Sequence, residues 1–187
     1  MAAWKIGPAI ACGNTVVIKA AEQTPLFILV YATLIERADF PPGVINCING
    51  YGREAGAALV QHADVDKIAF TGSTNTGEEI MKMAAGTLKN ITLETGGKSP
   101  LLVFPDADIN QAIRFAHIGI MLNQGQICTA PSCLSVHSSI YQTFLQKFAD
   151  HVLEVSKVGT TFDTAAFKAP KSLRRSSIEC SATYQAV

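Results

Sequence analysis

Cys128 closes the run Asn123-Gln124-Gly125-Gln126-Ile127-Cys128, and Glu94 lies upstream in Leu93-Glu94-Thr95-Gly96-Gly97-Lys98-Ser99-Pro100. A cysteine supplies a soft nucleophile and a glutamate a base that can activate water, the two groups that a thiol-dependent oxidation requires. Glycines beside both residues let the backbone and a flat ligand come close. In isolation a free cysteine is most often an inert buried thiol. The glycine-bearing approach to Cys128 and its small followers, Thr129 and Ala130, favour the nucleophile instead.

Three further segments have the residue types of a dinucleotide site. Lys19-Ala20-Ala21-Glu22 follows a β-branched run, and alone it would read as a solvated surface pair. Gly50-Tyr51-Gly52-Arg53-Glu54-Ala55-Gly56 is a glycine turn between a strand pattern and a helix pattern, a weak signal because many tight turns look like this. In Phe70-Thr71-Gly72-Ser73-Thr74-Asn75-Thr76-Gly77, Gly72 allows close backbone approach. Ser73 sits where free N–H groups and a helix dipole would meet a pyrophosphate. The Gly-Lys-Ser/Thr ending of an ATP-binding loop is missing from this segment, which argues against ATP.

The elements that must position these residues follow a β/α alternation, the pattern of a parallel sheet with flanking helices. Strands are expected at 15–19, 44–48, 67–70, 90–94, 101–104 and 134–137. Helices are expected at 25–37, 53–62, 75–85, 106–122 and 140–155. Thr24-Pro25 should cap and start the first of these helices. A domain change is expected at 93–100, giving a cofactor-binding domain over 1–95 and the start of a catalytic domain over 96–163. A divergent tail is expected over 164–187, either disordered or the product of an altered reading frame or splice, where Arg174-Arg175 and a serine cluster show no periodicity.

The glutamate and cysteine segments, in this order, resemble the active-site segments of the NAD(P)-dependent aldehyde dehydrogenase superfamily. The resemblance runs over residues 3–163, well under half of a full family member, and implies an incomplete aldehyde dehydrogenase fold: a Rossmann-like sheet followed by the beginning of a second α/β domain. It implies that Cys128 attacks an aldehyde carbonyl, that the thiohemiacetal passes hydride to the nicotinamide, and that Glu94 activates the water that hydrolyses the resulting thioester. Lys19 and Glu22 would hold the adenosine ribose. A carboxylate at Glu22 accepts from a 2′-hydroxyl and repels a 2′-phosphate, so NAD is favoured over NADP. Gly52, Gly56, Phe70, Thr71, Gly72, Ser73, Gly77, Thr95 and Gly96 complete the implied cofactor site. Thr95 contributes through its backbone.

The family's Pro-Trp-Asn, which carries an oxyanion-stabilising asparagine, would stand just ahead of Ala3; without it the Cys128 N–H is the remaining oxyanion donor. The resemblance implies that the family's oligomerisation arm belongs to the catalytic domain beyond Gly159 and that its aldehyde tunnel is built largely from segments outside this sequence, so a homo-oligomer is implied by resemblance only. An edge lacking its neighbouring strands is expected to leave the fold marginal and prone to aggregate. Three functions follow: oxidation of a small aldehyde to an acid, a non-catalytic fragment that retains part of a nucleotide-binding fold, and acyl transfer through Cys128 to a thiol such as coenzyme A.

Composition bounds the alternatives. With 48% hydrophobic and 16% charged residues the chain is globular. Fifteen basic and fifteen acidic residues cancel, which leaves no footprint for nucleic acid or an anionic membrane. The longest apolar run, 26–35, is too short to span a bilayer, and Gly7-Pro8 interrupts any signal-peptide core. Five scattered cysteines without a CxxC pair suit a reduced, cytoplasmic setting, and four histidines without ligand spacing argue against zinc.

Overall fold

The computed structural model describes residues 1–160 and 162–167. It is an α/β structure in which every paired strand runs parallel to its partner, and the chain divides into two compact units, Met1–Thr95 and a second that begins at Gly96.

In the first unit, helix α1 (Ala2–Ala11) leads into strand β1 (Val16–Lys19), helix α2 (Leu26–Arg37) and strand β2 (Ile45–Ile48). A wide turn, Gly52–Gly56, closed by an i→i+5 bond from the Gly56 N–H to the Tyr51 carbonyl, runs into helix α3 (Ala57–Gln61). Strand β3 (Lys67–Gly72), helix α4 (Thr74–Ala84) and strand β4 (Asn90–Thr95) complete it. The sequence pattern gives no sign of α1, because Gly7-Pro8 punctuates it. Ile6 is nonetheless buried, and Gly13, at φ +77°, ends the helix as a left-handed glycine does. Thr24 does not cap α2: the N-cap position falls on Pro25, and no side chain caps it.

The strands of this unit pair as β1–β2 and β3–β4. Along β3 and β4 the half-buried positions alternate with exposed ones, and the register sets Ile68 beside Ile91 and Phe70 beside Leu93. These side chains pack against the buried Val60 of α3 and Ile80 and Ala84 of α4. Period 2 on the strands meets period 3.6 on the helix, and the shared apolar face is the core.

In the second unit, strand β5 (Pro100–Val103) pairs with β6 (Cys133–Val136), and helices α5 (Ile109–Met121) and α6 (Tyr141–Val155) pack against each other. Val103, Ile113, Ala116 and Phe144 form its core, with Phe148 stacked on Phe144 at a ring separation of 5.8 Å. Asp108 caps α5, its carboxylate accepting from the N–H groups of Asn110 and Gln111 at 2.9 and 3.0 Å. His117 is buried in α5; its Nε2 lies 2.7 Å from the Ser156 hydroxyl and its ring meets His151 edge-on. The expectations for 168–187 lie outside the described residues.

Several large apolar side chains of α2 face solvent, including Leu26, Phe27 and Val30. Among the described residues no helix is long and apolar enough to cross a membrane, and no group of three or more His, Cys, Asp or Glu could hold a metal ion.

Candidate active site

The first unit gathers its predicted polar groups at the C-terminal ends of parallel strands, where ligands of open α/β sheets bind. Lys19 ends β1 and turns its ammonium onto the carbonyls of Ala20 (2.6 Å) and Gly50 (3.2 Å). Glu22 reaches the glycine turn, where its Oε2 accepts from the Gly52 N–H at 2.9 Å. A side chain at Gly56 would meet the Lys19 stem, 3.5 Å from its Cε. Lys19, Glu22, Gly52 and Gly56 are therefore one cluster. The lysine and glutamate that alone would read as a solvated surface pair instead bond to backbone and tie the turn after β2 to the end of β1.

The β3 end forms a second group. Ser73 caps α4, its hydroxyl accepting from the Thr76 N–H at 3.3 Å and standing 2.9 Å from the Thr76 hydroxyl. That leaves the N–H groups of Thr74 and Asn75, at the start of an eleven-residue helix beside the Gly72 turn, without an intrahelical acceptor. Thr71 pairs with Glu94 across the β3–β4 ladder, and Gly72 pairs with Thr95. The Thr71 hydroxyl is buried with no hydrogen-bond partner, an unusual state for a polar atom. At Gly72 a Cβ would run into the Phe70 ring, so the bare backbone there is required by Phe70 itself. Gly77 follows on the same helix, its N–H donating to the Ser73 carbonyl at 3.0 Å. It is buried where α4 packs on β4, with Leu93 Cδ1 3.4 Å and Thr95 Cγ2 3.6 Å from the place of a Cβ, distances of ordinary contact.

These features fit a dinucleotide: an ammonium and a carboxylate at one strand end, a helix start at another, and an orphaned hydroxyl next to it. Gly96, at the start of the second unit, has open space where a side chain would stand.

In the second unit Cys128 is exposed. The backbone leading to it is left-handed at three consecutive residues, Asn123 (φ 51°), Gln124 (φ 58°) and Gly125 (φ 72°). Such a conformation at a residue like Gln124 costs about 1–3 kcal/mol and persists only where surroundings impose it. The bend is tied by the Gln126 N–H to the Asn123 carbonyl at 3.0 Å, and by the Asn123 amide to the Gln126 carbonyl at 3.1 Å. The Cys128 carbonyl then leans on Gly97, 3.3 Å from where a Cβ would stand, so any side chain at 97 presses on the cysteine backbone. Sequence reasoning assigns Gly97 no role. Its position in a Gly-Gly pair is the signal that could have found it. The left-handed run was not read from the sequence either; Asn123 and Gly125 are types that tolerate it, but Gln124 between them is not.

The sequence profile of the aldehyde dehydrogenase family matches residues 1–175. An aldehyde dehydrogenase of Davidiella tassiana is 57% identical over 172 residues, which are 91% of this chain and 34% of that protein. The rat protein named aldehyde dehydrogenase, cytosolic 1 is 50% identical over 170 residues, 90% of this chain and 34% of its own length. Betaine aldehyde dehydrogenase from Staphylococcus aureus, solved in complex with NAD+, superposes with a TM-score of 0.92 at 38% identity, covering 98% of this chain and 36% of that one. The chain thus spans about a third of the length of the relatives it matches. Its fold is that of the matching part of these enzymes, and this chain belongs to the aldehyde dehydrogenase family.

Proposed function

We propose that the protein oxidises a small aldehyde to a carboxylic acid with NAD, using Cys128 as nucleophile and Glu94 as the base that activates water. The observation that carries this reading is the exposed thiol of Cys128 at the end of a tied, left-handed approach, in a chain of this family. Backbone strain of this kind gathers at functional sites, where it fixes the direction of a reacting group.

In this reading Cys128 Sγ adds to the aldehyde carbon, and the Cys128 N–H stabilises the developing oxyanion. Oxidation of the thiohemiacetal leaves a thioester on Cys128. Glu94 takes a proton from water, the water oxygen attacks the thioester carbon, and the thiolate of Cys128 leaves. Bound NAD supplies the two-electron acceptor. Lys19 and Glu22 would hold its adenosine ribose, with Gly52 and Gly56 shaping the turn. Ser73 and the start of α4 would receive the pyrophosphate beside Phe70, Thr71 and Gly72. Glu22 keeps one carboxylate oxygen on the Gly52 N–H and has the other to accept from a 2′-hydroxyl, an arrangement hostile to a 2′-phosphate.

Domain roles follow from the same reading: 1–95 serves the cofactor and 96–163 begins the catalytic part. A cytoplasmic setting and a homo-oligomeric state belong to the proposal as well. The test is propanal-dependent formation of reduced nicotinamide by the wild type and Cys128→Ala. Turnover by the wild type, lost in the variant, is the expected result. A folded protein without turnover would favour the non-catalytic reading, and turnover only with added coenzyme A would favour acyl transfer.

A further inference from the structure

We propose that Gly119, on the last turn of α5, is a positioning residue: it seats the ring of Pro131, and the seated ring sets where Cys128 stands. For its effect on turnover this rests on the reading of Cys128 as the nucleophile.

Glycine weakens a helix interior relative to alanine, so a glycine inside a helix calls for a packing reason. Gly119 has an ordinary helical backbone, and conformation does not demand glycine there. The Pro131 ring does. A Cβ at 119 would stand 2.8 Å from Pro131 Cγ and 3.0 Å from its Cδ. Carbon atoms in contact ordinarily rest roughly 3.5–4.0 Å apart. A flexible side chain could swing aside, but the pyrrolidine ring is closed onto its own backbone nitrogen. Even the methyl of alanine would therefore drive the chain at 131 back by roughly 1 Å.

That displacement reaches the thiol because the chain on both sides of Cys128 rests on α5. Upstream, a Cβ at Gly125 would meet the Ile120 carbonyl at 3.0 Å, so the chain passes close to the turn that holds Gly119. Downstream, Ala130 is buried and Pro131 lies on Gly119. Cys128 stands midway between Gly125 and Pro131, on an arch whose feet are neighbouring residues of one helical turn. The Ala130 N–H donates to the Ile127 carbonyl at 3.0 Å, a bond that brackets Cys128. The Ser132 N–H donates to the Ala130 carbonyl at 2.8 Å, on the far side of the proline. These two bonds couple the proline to the cysteine. The cysteine backbone has little room to yield, since its carbonyl lies 3.3 Å from where a Cβ of Gly97 would be. A shift of the ring is thus passed on to Cys128.

The experiment is a double-mutant cycle on the whole chain, with Gly119→Ala, Pro131→Ala and the two together; the pair lacks the ring carbons that the new methyl would meet. Cys128 is followed by its rate of alkylation with iodoacetamide, read by peptide mass spectrometry against Cys12 of the first unit. Propanal-dependent formation of reduced nicotinamide is measured alongside. Gly119→Ala alone should change the alkylation rate of Cys128 several-fold relative to Cys12. It should lower kcat by about one to two orders of magnitude and leave KM for NAD unchanged. In the Pro131→Ala background the same substitution should move either reading by no more than about twofold. An effect of equal size in both backgrounds would overturn the proposal. So would an unchanged Cys128 rate in Gly119→Ala, which would leave Gly119 a packing residue only. If Gly119→Ala does not fold, the pair decides: its Cys128 must react as it does in Pro131→Ala. A wild type without turnover would sink the catalytic reading, and the alkylation arm would still decide the seat.

Discussion

At the glycine turn of the first unit, side chains do the holding: Lys19 grips two carbonyls and Glu22 takes the Gly52 N–H. At residues 123–128 of the second unit, the backbone holds itself, through three left-handed residues and a bend tied by Asn123 to Gln126. Charged side chains can be exchanged for a ligand's hydroxyls, so the first arrangement suits a group that comes and goes. A backbone bend cannot be exchanged, and it fixes the thiol's bearing before any ligand arrives. The two corners should therefore fail in different ways: the first through charge, the second through geometry.

The sharpest way to break this contrast is Gly125→Val. Its φ of +72° is strained for any branched residue, and a Cβ would stand 3.0 Å from the Ile120 carbonyl. Strain of about 1–3 kcal/mol should redirect the loop, lowering aldehyde turnover by one to two orders of magnitude and changing the alkylation rate of Cys128. NAD binding, measured by fluorescence quenching, should stay within a factor of about two, since this change leaves every first-unit contact intact. A loss of NAD binding equal to the loss of turnover would show that the corners are not separable.

Glu22→Gln works from the other side and should be milder. The amide still accepts one hydrogen bond but no longer repels a phosphate, so the preference for NAD over NADP should fall by about tenfold, close to 1.4 kcal/mol. Alkylation of Cys128 should not change. An unaltered cofactor preference would remove Glu22 from the ribose site and leave it a structural clamp on Gly52.

The two corners also differ in how readable they are. The strands at Lys19, Phe70 and Glu94 were legible as short apolar or β-branched runs between helical patterns, although β3 and β4 run on to Gly72 and Thr95, beyond the expected ends at 70 and 94. The helix at Ala2–Ala11 was not, because Pro8 near its C-terminal end breaks only a local pattern while tertiary packing of Ile6 decides the outcome. Gly72 was legible as a glycine but not in its contact with the Phe70 ring, which a Cβ at 72 would meet. The clamp from Glu22 to Gly52 spans thirty residues and is a tertiary contact that no local pattern encodes. The same holds for Gly97 beneath the Cys128 carbonyl.

The smallest effect separates the units by their helix caps. Ser73 caps α4 with a neutral hydroxyl, whereas Asp108 caps α5, the helix that runs to the cysteine loop, with a carboxylate. The Gln111 and Asn110 N–H groups, with smaller help from Arg114 and Lys147, hold the Asp108 carboxyl below its ordinary value of 3.8. A carboxyl lowered in the folded state adds stability that is fully present above its unfolded value and is lost as pH falls through the folded one. The Asn110 and Gln111 amide resonances should thus titrate with a midpoint below 3.8, while the Thr76 amide, bonded to Ser73, should show no such step. Asp108→Asn keeps an acceptor at the cap and should abolish the step with little loss of helix. A midpoint at or above 3.8 in the wild type would mean that the charged cap is not formed in solution, and the entry to the cysteine loop would then rest on the core around Ile113 and Phe144 alone.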